Sequence, residues 1–302
     1  MKRKMVILTS LLILLGGLNL TFLIINQSNS DLNITKPSVT TNKKEQESET
    51  DDDQLSEQEV SEEDPEESND GTFGNFISEA VESTIDFFKR DETNIVAIGD
   101  SLTQGVGDST GRGGYVGIVE ERLNQANEQV YFHNFGKRGN RTDQLITRLQ
   151  DPEIVTAIEK ADIVLITIGA NDIMKVAKEN FTNLTYDPFS KELIHYEERL
   201  TTILERIHEI NSDTEIYLIG FYNPFSQYFP EIEELDQIVD SWNSTGKVIV
   251  EEQVQGTFIP TKDLFMNTKL DLFADDNFHP NEYGYELMAE RVLEYLPHNN
   301  EQ

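Results

Sequence analysis

The sequence predicts an α/β domain: a doubly wound, mostly parallel five-stranded sheet with helices on both faces, three layers in all. Two observations lead there. From about Gly71 onward, short apolar runs of strand length alternate with longer runs of helical period. Strands bracketed by helices return by right-handed crossovers, which makes the sheet largely parallel and covers both its faces. The strands are read at Ile95–Ile98, Val130–Asn134, Ile163–Ile168, Ile216–Ile219 and Thr257–Ile259.

The elements follow in order. Residues 1–26 open with Lys2, Arg3 and Lys4, and Met5 to Ile25 is then mostly apolar over about 21 residues. That is close to the roughly 20 residues that span a bilayer as a helix. A cleaved signal peptide has a shorter core and a small-x-small cleavage site, and neither is present. An uncleaved anchor with its basic end in the cytoplasm fits better and puts the rest of the chain outside the cell membrane. Secretion after cleavage is the alternative. Residues 27–70 form a linker. Between Glu45 and Asp70 stand 14 acidic residues and no Lys or Arg. Such a stretch cannot bury enough apolar surface to offset its conformational entropy, so disorder is expected. It is either a stalk or an inert acidic tail, and the anchor before it favours a stalk. Residues 71–302 are the folded domain. Phe76, Ile77, Ala80, Val81, Ile85 and Phe88 mark an amphipathic helix at its start. Further helices are expected near Tyr115–Asn127, Asp143–Gln150, Pro152–Lys160, Lys191–Ile210, Glu231–Gln253 and Asn281–Tyr295.

Charge and composition exclude several functions. A formal net charge of −32 leaves little basic surface for phosphates, so no nucleic-acid partner is expected. The absence of cysteine removes disulfides, a thiolate nucleophile and cysteine-ligated zinc. His133 alternates within a strand, His195 and His208 lie on a helical pattern, and His298 is near the C-terminus. None is spaced for a metal site, and no cofactor is expected.

Two serines compete as nucleophile. Gly107-Asp108-Ser109-Thr110-Gly111 fits the G-x-S-x-G elbow, but that elbow needs a strand immediately before it, and none is there. The same loop lacks a dinucleotide fingerprint, because Thr110 stands where the third glycine belongs. Ser101 follows the first strand by way of Gly99-Asp100, at the strand end where ligands of open α/β sheets gather. A serine needs a base, an orienting group and oxyanion donors. Polar stretches stand at later strand ends and before the last helix: Asn134–Thr142, Gly169–Asp172 and Asp276–Asn281.

These stretches resemble the four sequence blocks of the SGNH hydrolases, also called the GDSL esterase/lipase family, and the layout is similar to membrane-attached members from Gram-positive bacteria. The resemblance runs from about Asn94 to the final helix and implies a flavodoxin-like sheet. It implies that Ser101 is the nucleophile, His279 the base and Asp276 its orienting partner. It also implies an oxyanion hole formed by the Ser101 N–H, the Gly139 N–H and the Asn171 amide. The spacing agrees independently: with Asp276 and His279 three apart on one loop, a carboxylate can hold Nδ1–H and turn Nε2 toward a serine. The family implies ester hydrolysis through an acyl-enzyme, of lipase or acylhydrolase type. A carbohydrate or cell-wall O-acetyl esterase is the alternative, so the substrate is expected among lipid and cell-wall glycan esters. A catalytically silent surface module would show damage at one of these positions, and none is damaged. Phe221, Tyr222, Phe225, Tyr228 and Phe229 are read either as an acyl pocket or as ordinary packing. Lys137 and Arg138 are read either as a site for an anionic head group or as a solvated pair.

Overall fold

A computed structural model describes residues 81–85, 88, 92–125, 129–180, 185–224, 233–266 and 270–297. The expected anchor (1–26), the acidic linker (27–70), Phe225, Tyr228, Phe229 and His298 lie outside the described residues. Among the described residues, no helix is long and apolar enough to cross a membrane.

Five strands form the sheet: β1 (Thr93–Gly99), β2 (Val130–Gly136), β3 (Ile163–Thr167), β4 (Glu215–Ile219) and β5 (Thr257–Ile259). Their order is β2-β1-β3-β4-β5 and every pairing is parallel. That is the flavodoxin-like order, in which ligands lie at the carboxyl ends around the β1/β3 switch point. The helices are α1 (Ser101–Gln104), α2 (Gly114–Asn124), α3 (Thr142–Arg148), α4 (Pro152–Ile158), α5 (Ala170–Glu179), α6 (Tyr186–Ile210), α7 (Glu233–Gln253) and α8 (Glu282–Tyr295). Residues 81–85 are also helical.

Strand alternation divides the core in two. Val96 and Ile98 of β1 join α3 to α7 on one face, around Leu145, Ile158, Leu200 and Trp242. Ile95 and Ala97 join α2 and α8 on the other, with Phe88, Tyr115 and Tyr285. A period of two thus feeds both layers from one strand.

Four of the expected strands begin or end within two residues of the observed ones, and β5 matches. Helix α6 begins at Tyr186 rather than Lys191, because Pro188 sits in its first turn, where a missing N–H costs nothing. Helix α5 was not expected. It starts on the Gly169–Asp172 block itself, and its N-cap is Gly169 without a side-chain cap, so the usual polar start signal is absent.

Candidate active site

The carboxyl ends of β1, β2 and β3 carry three of the four blocks. Ser101 follows β1 directly and is the first residue of α1. Asp100 caps that helix: its Oδ1 accepts from Leu102 N–H at 3.0 Å and from Thr167 Oγ1 at 2.8 Å. Burial pushes the Asp100 carboxyl up to about 7, against the pull of these two bonds. Gly139 follows β2, lines the cleft and has φ +75°, a left-handed backbone that a β-carbon would strain. Asn171 lies in the first turn of α5 after β3.

The fourth block is a tight loop before α8. Ala274 N–H donates to the His279 carbonyl at 2.8 Å, and Asp276 Oδ1 accepts from the N–H groups of Phe278 and His279 at 3.1 and 2.9 Å. His279 Nδ1 meets Asp276 Oδ2 at 2.5 Å, and His279 Nε2 meets Ser101 Oγ at 2.9 Å. Burial pulls the Asp276 carboxyl up, but the hydrogen bond and charge of His279 outweigh it and hold it at about 2. An ionised carboxylate only accepts, so Nδ1 must carry the proton, which leaves Nε2 to accept from the serine hydroxyl.

Ser101, Gly139, Asn171 and His279 line one cleft of about 390 Å³. A single amide of Asn171 offers two N–H bonds. Its Nδ2 donates to the Asn140 carbonyl at 3.1 Å, which holds the group at the cleft wall. All five residues singled out in the sequence are therefore brought together or into contact with one another. Ser109 is not. Its hydroxyl donates to Glu282 on the surface. Its loop has another role: a β-carbon on Gly107 would lie 2.4 Å from the Pro280 carbonyl and 3.0 Å from the His279 β-carbon. Only a glycine lets this loop back the histidine so closely.

Residues 97–287 match the model of the GDSL-like lipase/acylhydrolase family. The chain belongs to this family. Among its relatives is an uncharacterised protein of Bacillus subtilis, YpmR, 38% identical over 207 residues, covering 67% of this chain and 80% of that one. Spore germination lipase LipC of Bacillus licheniformis is 29% identical over 201 residues, covering 65% and 92%. The solved lipase Lip_vut3 from a goat rumen metagenome superposes with a TM-score of 0.60 at 29% identity, over 66% of this chain and 95% of that one. An acetylxylan esterase of Geobacillus stearothermophilus, Axe2, shares the fold at a TM-score of 0.51 and 22% identity, over 67% and 93%. Membership in the GDSL family supports an ester hydrolase.

Two GDSL-site supports escaped the sequence reading. Arg148 donates to the Phe135 carbonyl at 2.7 Å, to Asn140 Oδ1 at 3.1 Å and, more loosely, to the Gly99 carbonyl at 3.4 Å. It ties the ends of β1 and β2 to the Gly139 turn. Asp172 accepts from Thr142 Oγ1 at 2.6 Å, from Thr142 N–H at 3.1 Å and from Arg199 Nη2 at 3.2 Å. It ties the Asn171 turn to the helix that follows Gly139. Both partnerships span distant positions that no local pattern signals. In the aromatic stretch after β4, Phe221 and Tyr222 are packed in the core, and with Asn223 and Pro224 they also line a second, apolar slot of about 40 Å³. Of the two basic residues beside Gly139, Arg138 lines the cleft and Lys137 does not.

Proposed function

We propose that this chain is an extracytoplasmic serine ester hydrolase that works through an acyl-enzyme. Ser101 Oγ attacks the ester carbonyl while His279 Nε2 takes its proton. Asp276 holds Nδ1–H and stabilises the imidazolium. The Ser101 N–H, the Gly139 N–H and the Asn171 amide donate to the developing oxyanion. His279 then returns the proton to the leaving alcohol, and a water molecule repeats the sequence to release the acid. The observation that carries this is the hydrogen-bonded line Ser101–His279–Asp276 opening on a cleft.

The apolar slot takes the acyl group. It shares Met174 and Phe278 with the cleft, and Phe278 precedes the histidine, so the slot adjoins the reacting centre. Its small volume favours a short acyl chain, and this is the observation behind the second reading, an O-acetyl esterase of carbohydrate or cell wall. The lipase names of LipC and Lip_vut3 incline the first reading to the lipase or acylhydrolase type.

Labelling with a fluorophosphonate, then a panel of 4-nitrophenyl esters of graded chain length, tests the chemistry. Labelling at Ser101 with turnover of short esters is expected; no labelling at Ser101 would refute it. The basic, apolar start of the chain supports attachment to the cell membrane through residues 1–26, with the domain outside. The full-length protein should stay in the membrane fraction at intact mass. A soluble form beginning near Ser28 or Ser30 would replace the anchor with a cleaved signal.

A further inference from the structure

The cleft has the opposite charge balance to the chain around it. The chain carries 56 acidic and 24 basic residues. The cleft is lined by Arg138, Arg141, Lys175 and Lys178 against a single acid, Glu179. Two of these cations have carboxylate neighbours: Arg141 meets Asp143 at 2.9 Å, and Arg138 lies 3.9 Å from Asp276. Among the described residues, no carboxylate lies within ion-pair distance of Lys175 or Lys178, and both are exposed.

Helix α5 sorts the two cavities. Asn171, Lys175 and Lys178, spaced by four and three, face the cleft. Ala170, Ile173 and Ala177, spaced by three and four, face the apolar slot. Met174 borders both. At 1.5 Å rise per residue, the two lysines stand roughly 6 Å and 10 Å along the axis from the oxyanion residue. The acyl chain and the cations are thus on opposite sides of one helical ridge, and the alcohol part of a bound ester falls on the cationic side.

We infer that the preferred substrate is an ester whose alcohol part carries a carboxylate or phosphate, held by Lys175 and Lys178 with Arg138 and Arg141. The inference rests on the ester-hydrolase function proposed above. The remaining acidic surface does not cancel it. At about 0.1 M salt, charges beyond roughly 10 Å are largely screened, so the nearby cations set the potential in the cleft.

The test compares esters that differ in charge and little else. One pair is 4-butyryloxybenzoate and 4-butyryloxybenzamide; the other is 1-butyrylglycerol 3-phosphate and monobutyrin. Each kcat/KM is divided by the rate of the same ester with hydroxide. At about 0.1 M salt the anionic member should be preferred about tenfold, and the preference should shrink as salt is raised toward about 1 M, where the screening length falls to roughly 3 Å. The pair with the larger ratio tells carboxylate from phosphate. In the double variant Lys175→Gln, Lys178→Gln the ratio should fall to about threefold or less. Equal or inverted rates in both pairs, with hydrolysis and Ser101 labelling intact, would overturn the charge preference alone. A preference that survives in the double variant would overturn its assignment to these lysines. Absence of both hydrolysis and labelling would overturn the ester-hydrolase function and this inference with it.

Discussion

Replacing Asp172 with asparagine tests whether the two turns that bear Gly139 and Asn171 are held at a fixed separation. The carboxylate takes three hydrogen bonds, two from Thr142 and one from Arg199. Asparagine offers one oxygen, and its amino group would face an existing donor. Breaking a buried pair by removing one partner costs about 3–5 kcal/mol. Here the loss is smaller, because Arg199 keeps Glu192 at 2.6 Å and Thr142 Oγ1 at 2.7 Å. A cost of about 2–3 kcal/mol is expected, or roughly 4–12 °C in melting temperature for a domain of this size. Burial raises the Asp172 carboxyl, and Thr142 and Arg199 pull against that rise. If the carboxyl were protonated at neutral pH, asparagine would mimic it and stability would hardly change. Because the donors sit on either side of this network, turnover should fall about tenfold or more per folded molecule, with KM changed less. Melting temperature and steady-state kinetics on one preparation decide the matter. An unchanged melting temperature would refute an ionised network. A lowered one with normal kcat would reduce Asp172 to a stabilising residue.

Other outcomes follow from the same geometry. Ser101→Ala should abolish hydrolysis and probe labelling, a loss of about 10⁶ in turnover, while Ser109→Ala retains most activity; the reverse would move the nucleophile. Asn171→Ala should lower kcat by about 10²–10³ with little change in KM, as expected for a donor to charge present only in the transition state; a destabilised variant with normal kcat would make it a turn residue. Asp100, raised by burial to about 7, binds its proton more tightly when folded than unfolded. Its contribution to stability is therefore full below about pH 4 and lost as pH rises through 7. Denaturant titrations at pH 6 and 8 should show the decline in the wild type and not in Asp100→Asn; equal declines would clear Asp100 of the effect. The Asp276 carboxyl, depressed to about 2, contributes stability above about pH 4 that fades as pH falls toward 2. Asp276→Asn should flatten acid unfolding in that window, and an unchanged acid limb would contradict the depression.

Much of this architecture was legible because central strands announce themselves. Ile95–Ile98 and Ile163–Ile166 are buried on both faces and so are apolar without a break. Ser101 was separable from Ser109 by strand adjacency alone. Asp276 and His279 were legible as a pair because their interaction is local. Arg148 and Asp172 were not, since their partners are set by how β1, β2, α3, α5 and α6 pack. The motif match at Gly107 carries no chemistry, as the missing strand before it indicates; its lack of a side chain serves the histidine loop instead. Helix α5 was hidden because its start coincides with a strand-end block and lacks a polar cap.

The Asp276–His279 pair is three residues apart, while His279 and Ser101 are separated by 178. The carboxylate and the imidazole therefore meet through local chain alone, but the imidazole reaches the Ser101 hydroxyl only when the segment around α8 docks. That docking is visible in Arg112 and Arg122 of the early half gripping Glu286, and in Tyr285 bonding to the Val106 carbonyl. A chain cut before α8 would keep Asp276 and His279 but lose the contacts that seat their loop against Ser101. In the reading proposed above, hydrolysis thus depends on α8 docking against the segment that follows Ser101.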